Sequence, residues 1–233
     1  MSSKHLPETE KVSRFLAELE RLPARTHQDR TRLIFALDAT ASRQPAWNTA
    51  RDLQAQMFAA ATRARALQVR LCYYRGFDEF RATPWLDDSA ALQRAMDTVS
   101  CLGGHTQIAR VLRFMNRSAS EQPVQAAVFV GDAIEESPDT LCQLAGELGL
   151  RGLPLFIFQE GDDPAVTQCF QQMARLSRGA WARFDASSAH TLRALLEAVA
   201  TYASGGADAL QKLSGSAARD LLAQLPATGS SRP

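Results

Sequence analysis

Residues 33–42, LIFALDATAS, are apolar from Leu33 to Leu37 and then turn to oxygen, with Asp38, Thr40 and Ser42 alternating along the exit. An unbroken apolar run of strand length predicts a strand buried on both faces, as in a parallel sheet covered by helices. A carboxylate and two hydroxyls at the lip of such a strand lie where open α/β sheets hold ligands, outside the carboxyl ends of the strands. A second apolar run, VQAAVFVGD at 124–132, also ends on an acid, Asp132.

Working outward, strand-length apolar runs alternate with segments of helical period, the signature of an α/β domain. The strand at 31–38 is followed by a helix over about 46–66 and a strand at VRLCYY, 69–74. DEFRATPW, 78–85, returns beside that strand across the RGF turn, and two strands joined so tightly run antiparallel. Asp87 and Asp88 can cap a helix reaching about Val99, and a helix from Gln107 to Asn116 follows the CLGGHT turn. Helices at 139–148, 164–177 and 189–203, with strands at LPLFIF and AWARF, complete the alternation. The predicted fold is α/β: a Rossmann-like, doubly wound, mostly parallel sheet with one antiparallel edge strand and helices on both faces, over residues 30–203.

Two flanking segments are predicted. Residues 1–29 form an N-terminal helix and linker, since Val12, Phe15, Leu16, Leu19 and Leu22 share one helical face. Residues 204–233 carry SGGA, SGS and ATGSSRP and are expected to be held loosely at best. Leu210, Leu213, Leu221, Leu222 and Leu225 can still make one or two short amphipathic helices there.

At 233 residues, 45% hydrophobic and formal net charge +1, the chain is long enough for one large domain. The charge balance supports neither a nucleic-acid partner nor an anionic membrane. The N-terminus lacks the apolar core of a secretory signal, and no apolar stretch approaches membrane-spanning length, so a cytoplasmic protein is expected. Cys72, Cys101, Cys142 and Cys169 lack the close pairing of zinc or redox motifs. They read as buried thiols in a reducing compartment, though the sequence alone does not decide whether any two form a disulfide. There is no phosphate-binding glycine loop with its lysine and no G-x-S-x-G elbow, and His5, His27, His105 and His190 are dispersed. No catalytic activity is expected.

The candidate site is a set of five oxygen-bearing residues: Asp38, Thr40, Ser42, Thr106 and Asp132. Thr106 follows Gly103 and Gly104, where a tight turn lets a hydroxyl approach the strand ends. Each residue alone is ordinarily structural, as a turn former or a helix cap. Together, all donors being oxygen, they suit a hard divalent cation.

These residues resemble the metal-ion-dependent adhesion site of von Willebrand factor A (VWA) domains. DATAS matches the D-x-[ST]-x-S signature, and Thr106 in GGHT and Asp132 in VFVGD match the later threonine and aspartate in order. The resemblance covers roughly residues 30–203. It implies Thr40, Ser42 and Thr106 as inner ligands of magnesium, with manganese or calcium as alternatives, and Asp38 and Asp132 acting mainly through water. It further implies an intracellular adaptor that captures a glutamate or aspartate of a partner protein, beside an ATPase-linked assembly.

Two rivals stand against this. A haloacid-dehalogenase-like phosphatase also has an aspartate after an apolar strand, and GDAIEE resembles its later acidic motif. However, Thr40 stands where its second aspartate belongs, and no lysine lies between Lys11 and Lys212. The other is a metal-independent structural scaffold. His105 either holds its turn by a hydrogen bond or touches a partner directly. Trp47 is either rim surface or packing, and Asp78 and Glu79 are solvated turn residues.

Overall fold

The computed structural model describes residues 30–50, 52, 66–184 and 189–226. The predicted helix within 1–29 lies outside the described residues, as does most of the one predicted over 46–66, of which 46–50 and 52 are helical. The strands are β1 (Arg30–Asp38), β2 (Ala66–Arg75), β3 (Glu79–Ala82), β4 (Ala126–Gly131), β5 (Leu155–Glu160) and β6 (Trp181–Phe184). They form one sheet in the order β3-β2-β1-β4-β5-β6. β1 pairs parallel with β4, β4 with β5 and β5 with β6, while β3 runs antiparallel to β2 at one edge. This is the predicted mostly parallel, doubly wound α/β fold.

Alternation along each strand divides the apolar side chains between two cores. Leu33, Phe35 and Leu37 of β1 join Val128 and Val130 of β4 and Phe156 and Phe158 of β5 on one face. Ile34 and Ala36 join Ala127, Phe129, Leu155 and Ile157 on the other. The strands are therefore apolar throughout because both faces are covered. Each fully buried phenylalanine among them contributes about 2 kcal/mol by leaving water.

Helices α2 (Ile108–Glu121), α3 (Pro138–Leu150) and α4 (Pro164–Leu176) cover the second face, burying Val111, Leu112, Leu141, Leu148, Phe170 and Met173. The first face packs against α1 (Ser89–Asp97) and α5 (Ala189–Gln211) through Leu92, Met96, Leu192, Leu196 and Val199. Asp88 caps α1 as the sequence predicts, its Oδ1 accepting from the Ala91 N–H at 2.6 Å. Trp47 is buried, and its indole N–H donates to the Met96 carbonyl at 3.3 Å, so packing is its role.

The region from residue 204 forms the short helices its leucines allow, but it is docked where loose attachment was expected. α5 continues to Gln211 across a kink at Gly206, whose φ of 67° favours glycine. A further helix, α6, spans Ser216–Leu222. Leu210 and Leu221 are fully buried in the first core, with Leu213, Leu222 and Leu225 packed against it. Glycine and serine set the bends there, but the leucines between them decide that the segment docks. Gln224 then pairs with the edge strand β6: its side-chain amide accepts from the Trp181 N–H at 2.8 Å and donates to the Trp181 carbonyl at 2.9 Å.

The strand order reverses between β1 and β4. In such sheets the crevice outside the carboxyl ends at that point is where ligands bind. Asp38 closes β1 and Asp132 follows β4, so both acids sit at this crevice.

Candidate functional site

Asp38 is 2% exposed at the end of β1. Its Oδ1 accepts from the Thr40 backbone N–H at 2.7 Å, a local turn that carries the chain over the strand end. Its Oδ2 is buried and faces the Tyr74 hydroxyl of β2; the pair falls outside full hydrogen-bond geometry, yet the hydroxyl still favours the charged carboxylate. Burial pushes the Asp38 carboxyl above its ordinary pKa. The hydrogen bonding around Thr40 and the Tyr74 hydroxyl oppose this, and the charge of Asp132 adds to it. Burial likewise raises Tyr74 well above a free phenol, assisted by Asp38, Glu136 and Asp132. Tyr74 thus lies within electrostatic reach of all three acids.

Thr40 is extended and leads into a 3-10 turn at Ala41–Arg43. This turn brings the Ser42 hydroxyl to Asp132, to whose Oδ2 it donates at 3.1 Å. Arg43, next in the chain, is 2% exposed. Its Nη1 lies 3.4 Å from the same Asp132 oxygen and also pairs with Glu160 at the end of β5. A buried guanidinium needs such partners, since an unpaired charge there would be costly.

The third loop is tied to the first. The Leu102 N–H donates to the Ala39 carbonyl at 3.0 Å, and the His105 N–H to the Gly76 carbonyl at 3.3 Å. Gly104 is required by this approach, because a Cβ there would lie 1.9 Å from the Gly76 oxygen. His105 makes the turn-holding contact, its Nδ1 lying 2.9 Å from Glu135 Oε2. Asp78 and Glu79 pair with Arg110 and Arg75 around the neighbouring turn.

Thr106 is nearly buried and makes its hydrogen bonds to Glu135 and Glu136, not to the other four candidates. Its hydroxyl donates to Glu136 Oε2 at 2.5 Å and accepts from the Glu135 N–H at 2.9 Å. Its own N–H donates to Glu135 Oε2 at 3.0 Å. Glu136 Oε1 accepts from the Ala109 N–H, in the first turn of α2, at 3.1 Å.

The structure therefore brings Asp38, Thr40, Ser42 and Asp132 together and holds Thr106 on the adjoining loop through two glutamates. Sequence reasoning missed Tyr74, Arg43, Glu135, Glu136 and Glu160 as neighbours of the site. The signal present was the double acid in GDAIEE, three and four residues beyond Asp132. Among the described residues, no three His, Cys, Asp or Glu side chains group as a metal site by themselves. The candidate set would draw only two carboxylates and take its remaining donors from hydroxyls. An all-oxygen set with a buried carboxylate oxygen short of a full hydrogen bond matches the preferences of a hard divalent cation. The four cysteines are free thiols.

No protein-family model and no curated protein sequence matches the chain. Solved structures do. The von Willebrand factor type A protein from Catenulispora acidiphila is similar with a TM-score of 0.60 and 16% identity, over 76% of this chain and 43% of that one. The SpRpn10 VWA domain is similar with a TM-score of 0.57 and 11% identity, over 69% of this chain and 94% of that one. An aerotolerance-related membrane protein from Bacteroides fragilis has a TM-score of 0.54 and 17% identity, over 72% of this chain and 98% of that one. At these identities the likeness is one of fold. The chain has the von Willebrand factor A fold. No helix among the described residues is long and apolar enough to cross a membrane.

Proposed function

We propose that the protein is a divalent-metal-dependent interaction module that captures an acidic side chain of a partner protein. Thr40, Ser42 and Thr106 would hold the cation directly, and Asp38 and Asp132 mainly through water. When bound, magnesium supplies an electrophilic position for one further carboxylate. The residues of the chain orient the hydroxyls and keep the Asp38 carboxylate from solvent, while Asp132 stays partly open to it. The observation that carries this reading is Asp38 Oδ2, a buried carboxylate oxygen near the Asp132 charge, whose facing donor, the Tyr74 hydroxyl, falls short of full hydrogen-bond geometry. Such a group is costly unless a positive charge compensates it.

The reading is one of binding rather than catalysis. A phosphatase of the rival type would need a second carboxylate at Thr40. The partner is a protein offering a glutamate or aspartate, and we place the module in the cytoplasm as an adaptor in an ATPase-linked assembly. One observation favours the metal-independent scaffold: Arg43 already brings a positive charge to Asp132 and Glu160.

Affinity capture with the full chain, with magnesium and with chelator, separates the two. Capture of the same partner in magnesium, lost in chelator and lost with Ser42→Ala or Asp132→Ala, is the expected result. Equal capture by wild type in chelator would leave the scaffold reading in possession.

A further inference from the structure

Glu136 was not among the candidate ligands, yet it makes the shortest hydrogen bond at the site. A threonine hydroxyl has one proton and two lone pairs. In Thr106 the proton goes to Glu136 Oε2 at 2.5 Å, and one lone pair accepts the Glu135 N–H at 2.9 Å. One lone pair is left over. Without an acceptor for its proton, the hydroxyl would rotate freely and point hydrogen or oxygen outward with little preference. Glu136 is itself fixed, because Oε1 accepts from the Ala109 N–H at 3.1 Å. The backbone of Thr106 is held in parallel by Glu135, whose Oε2 receives its N–H at 3.0 Å. The Glu136 carboxylate thus reaches back 27 to 30 residues to clamp the hydroxyl and the first turn of the helix behind it, while that of Glu135 holds the Thr106 backbone N–H.

We propose that Glu136 is a positioning residue for the metal site: it takes the Thr106 hydroxyl proton and so presents the remaining oxygen lone pair to the cation. The proposal rests on the metal-dependent reading above and adds to it a residue that touches the metal only through Thr106. A carboxylate acceptor also leaves that oxygen more electron-rich than a neutral acceptor would, as outer-sphere partners do for metal ligands generally.

The test is calorimetric titration of the full-length protein with Mn2+ alone, in wild type, Thr106→Ala, Glu136→Ala, Glu136→Gln and the Thr106→Ala/Glu136→Ala double variant. Outer-sphere partners of this kind are worth about 10- to 100-fold in metal affinity. Glu136→Ala should therefore weaken Mn2+ by at least about tenfold. Glu136→Gln should recover part of that loss, because its single carbonyl can still accept the hydroxyl proton. In the Thr106→Ala background, Glu136→Ala should cost no further affinity, since a residue acting only through Thr106 has nothing left to position. A role confined to holding α2 would lower the melting temperature equally in both backgrounds and leave the Mn2+ affinity of the single variant unchanged. That result, or additive losses of affinity in the double variant, overturns the proposal while leaving the metal reading standing. Absence of Mn2+ binding by wild type would remove both.

Discussion

Replacing Asp38 by asparagine isolates the buried carboxylate on which the metal reading depends. Asparagine keeps the oxygen that accepts the Thr40 N–H and exchanges Oδ2 for an amide facing the Tyr74 hydroxyl. A buried polar atom without a partner costs about 1–3 kcal/mol. In chelator, Asp38→Asn should therefore be the more stable protein by about 1–2 kcal/mol. For a domain of this size that is a rise in melting temperature of about 2–8 °C. The Asp38 carboxyl is raised above its ordinary value of 3.8, first by burial. Its neutral form is thus the one the fold accepts, so the penalty is absent below the unfolded value and grows as the carboxyl ionises with rising pH. The advantage of the variant should accordingly be full at neutral pH and vanish on acidification. Magnesium should invert the order. A ligand at one hundred times its dissociation constant stabilises wild type by about 2.7 kcal/mol, against about 0.4 kcal/mol for a variant that binds it about 100-fold more weakly. Thermal melts of both proteins at neutral and acid pH, with magnesium and with chelator, make the four comparisons. A variant less stable than wild type in chelator, or an equal magnesium shift in both, would refute the reasoning.

Three further outcomes are expected. Gly104→Ala forces a Cβ to within 1.9 Å of the Gly76 oxygen and should cost about 2 kcal/mol in urea unfolding, with faster amide exchange over residues 101–106. Truncation after residue 203 removes the fully buried Leu210 and Leu221, each worth about 2 kcal/mol, and should lower the melting temperature sharply. The Cys101 thiol is pushed up to about 11, chiefly by burial, with the charge of Asp38 adding to it. Alkylation of that site should stay slow at pH 8 and accelerate only as pH approaches that value, a profile read by mass spectrometry.

Much of the architecture was legible because burial on both faces leaves a mark that needs no neighbours to interpret. Leu33–Leu37 and Ala126–Val130 are apolar without interruption, and each divides between the two cores as a central strand must. The acids at their ends could be placed on one rim from topology alone. What sequence could not supply was pairing across distance. Nothing in the sequence marks Arg43 for burial, yet it is buried, because Asp132 and Glu160 come from two other strand ends to meet it. Glu135 and Glu136 stand in the sequence only as the double acid of GDAIEE, yet they reach Thr106, 29 and 30 positions earlier. Beyond residue 203 the short helices were legible, but their firm docking was not, for a related reason. The glycines and serines there are local signals, whereas the anchoring of Leu210 and Leu221 depends on a groove built by residues far away in the chain.

The amide of Gln224 acts as a one-residue counterfeit strand. By answering both main-chain groups of Trp181, it occupies a hydrogen-bonding position on a margin that would otherwise invite any extended peptide to add itself. A chain shortened before that glutamine would expose β6 as a template for its own kind. Its failure would then show as self-association that worsens with concentration, a different outcome from simply melting at a lower temperature.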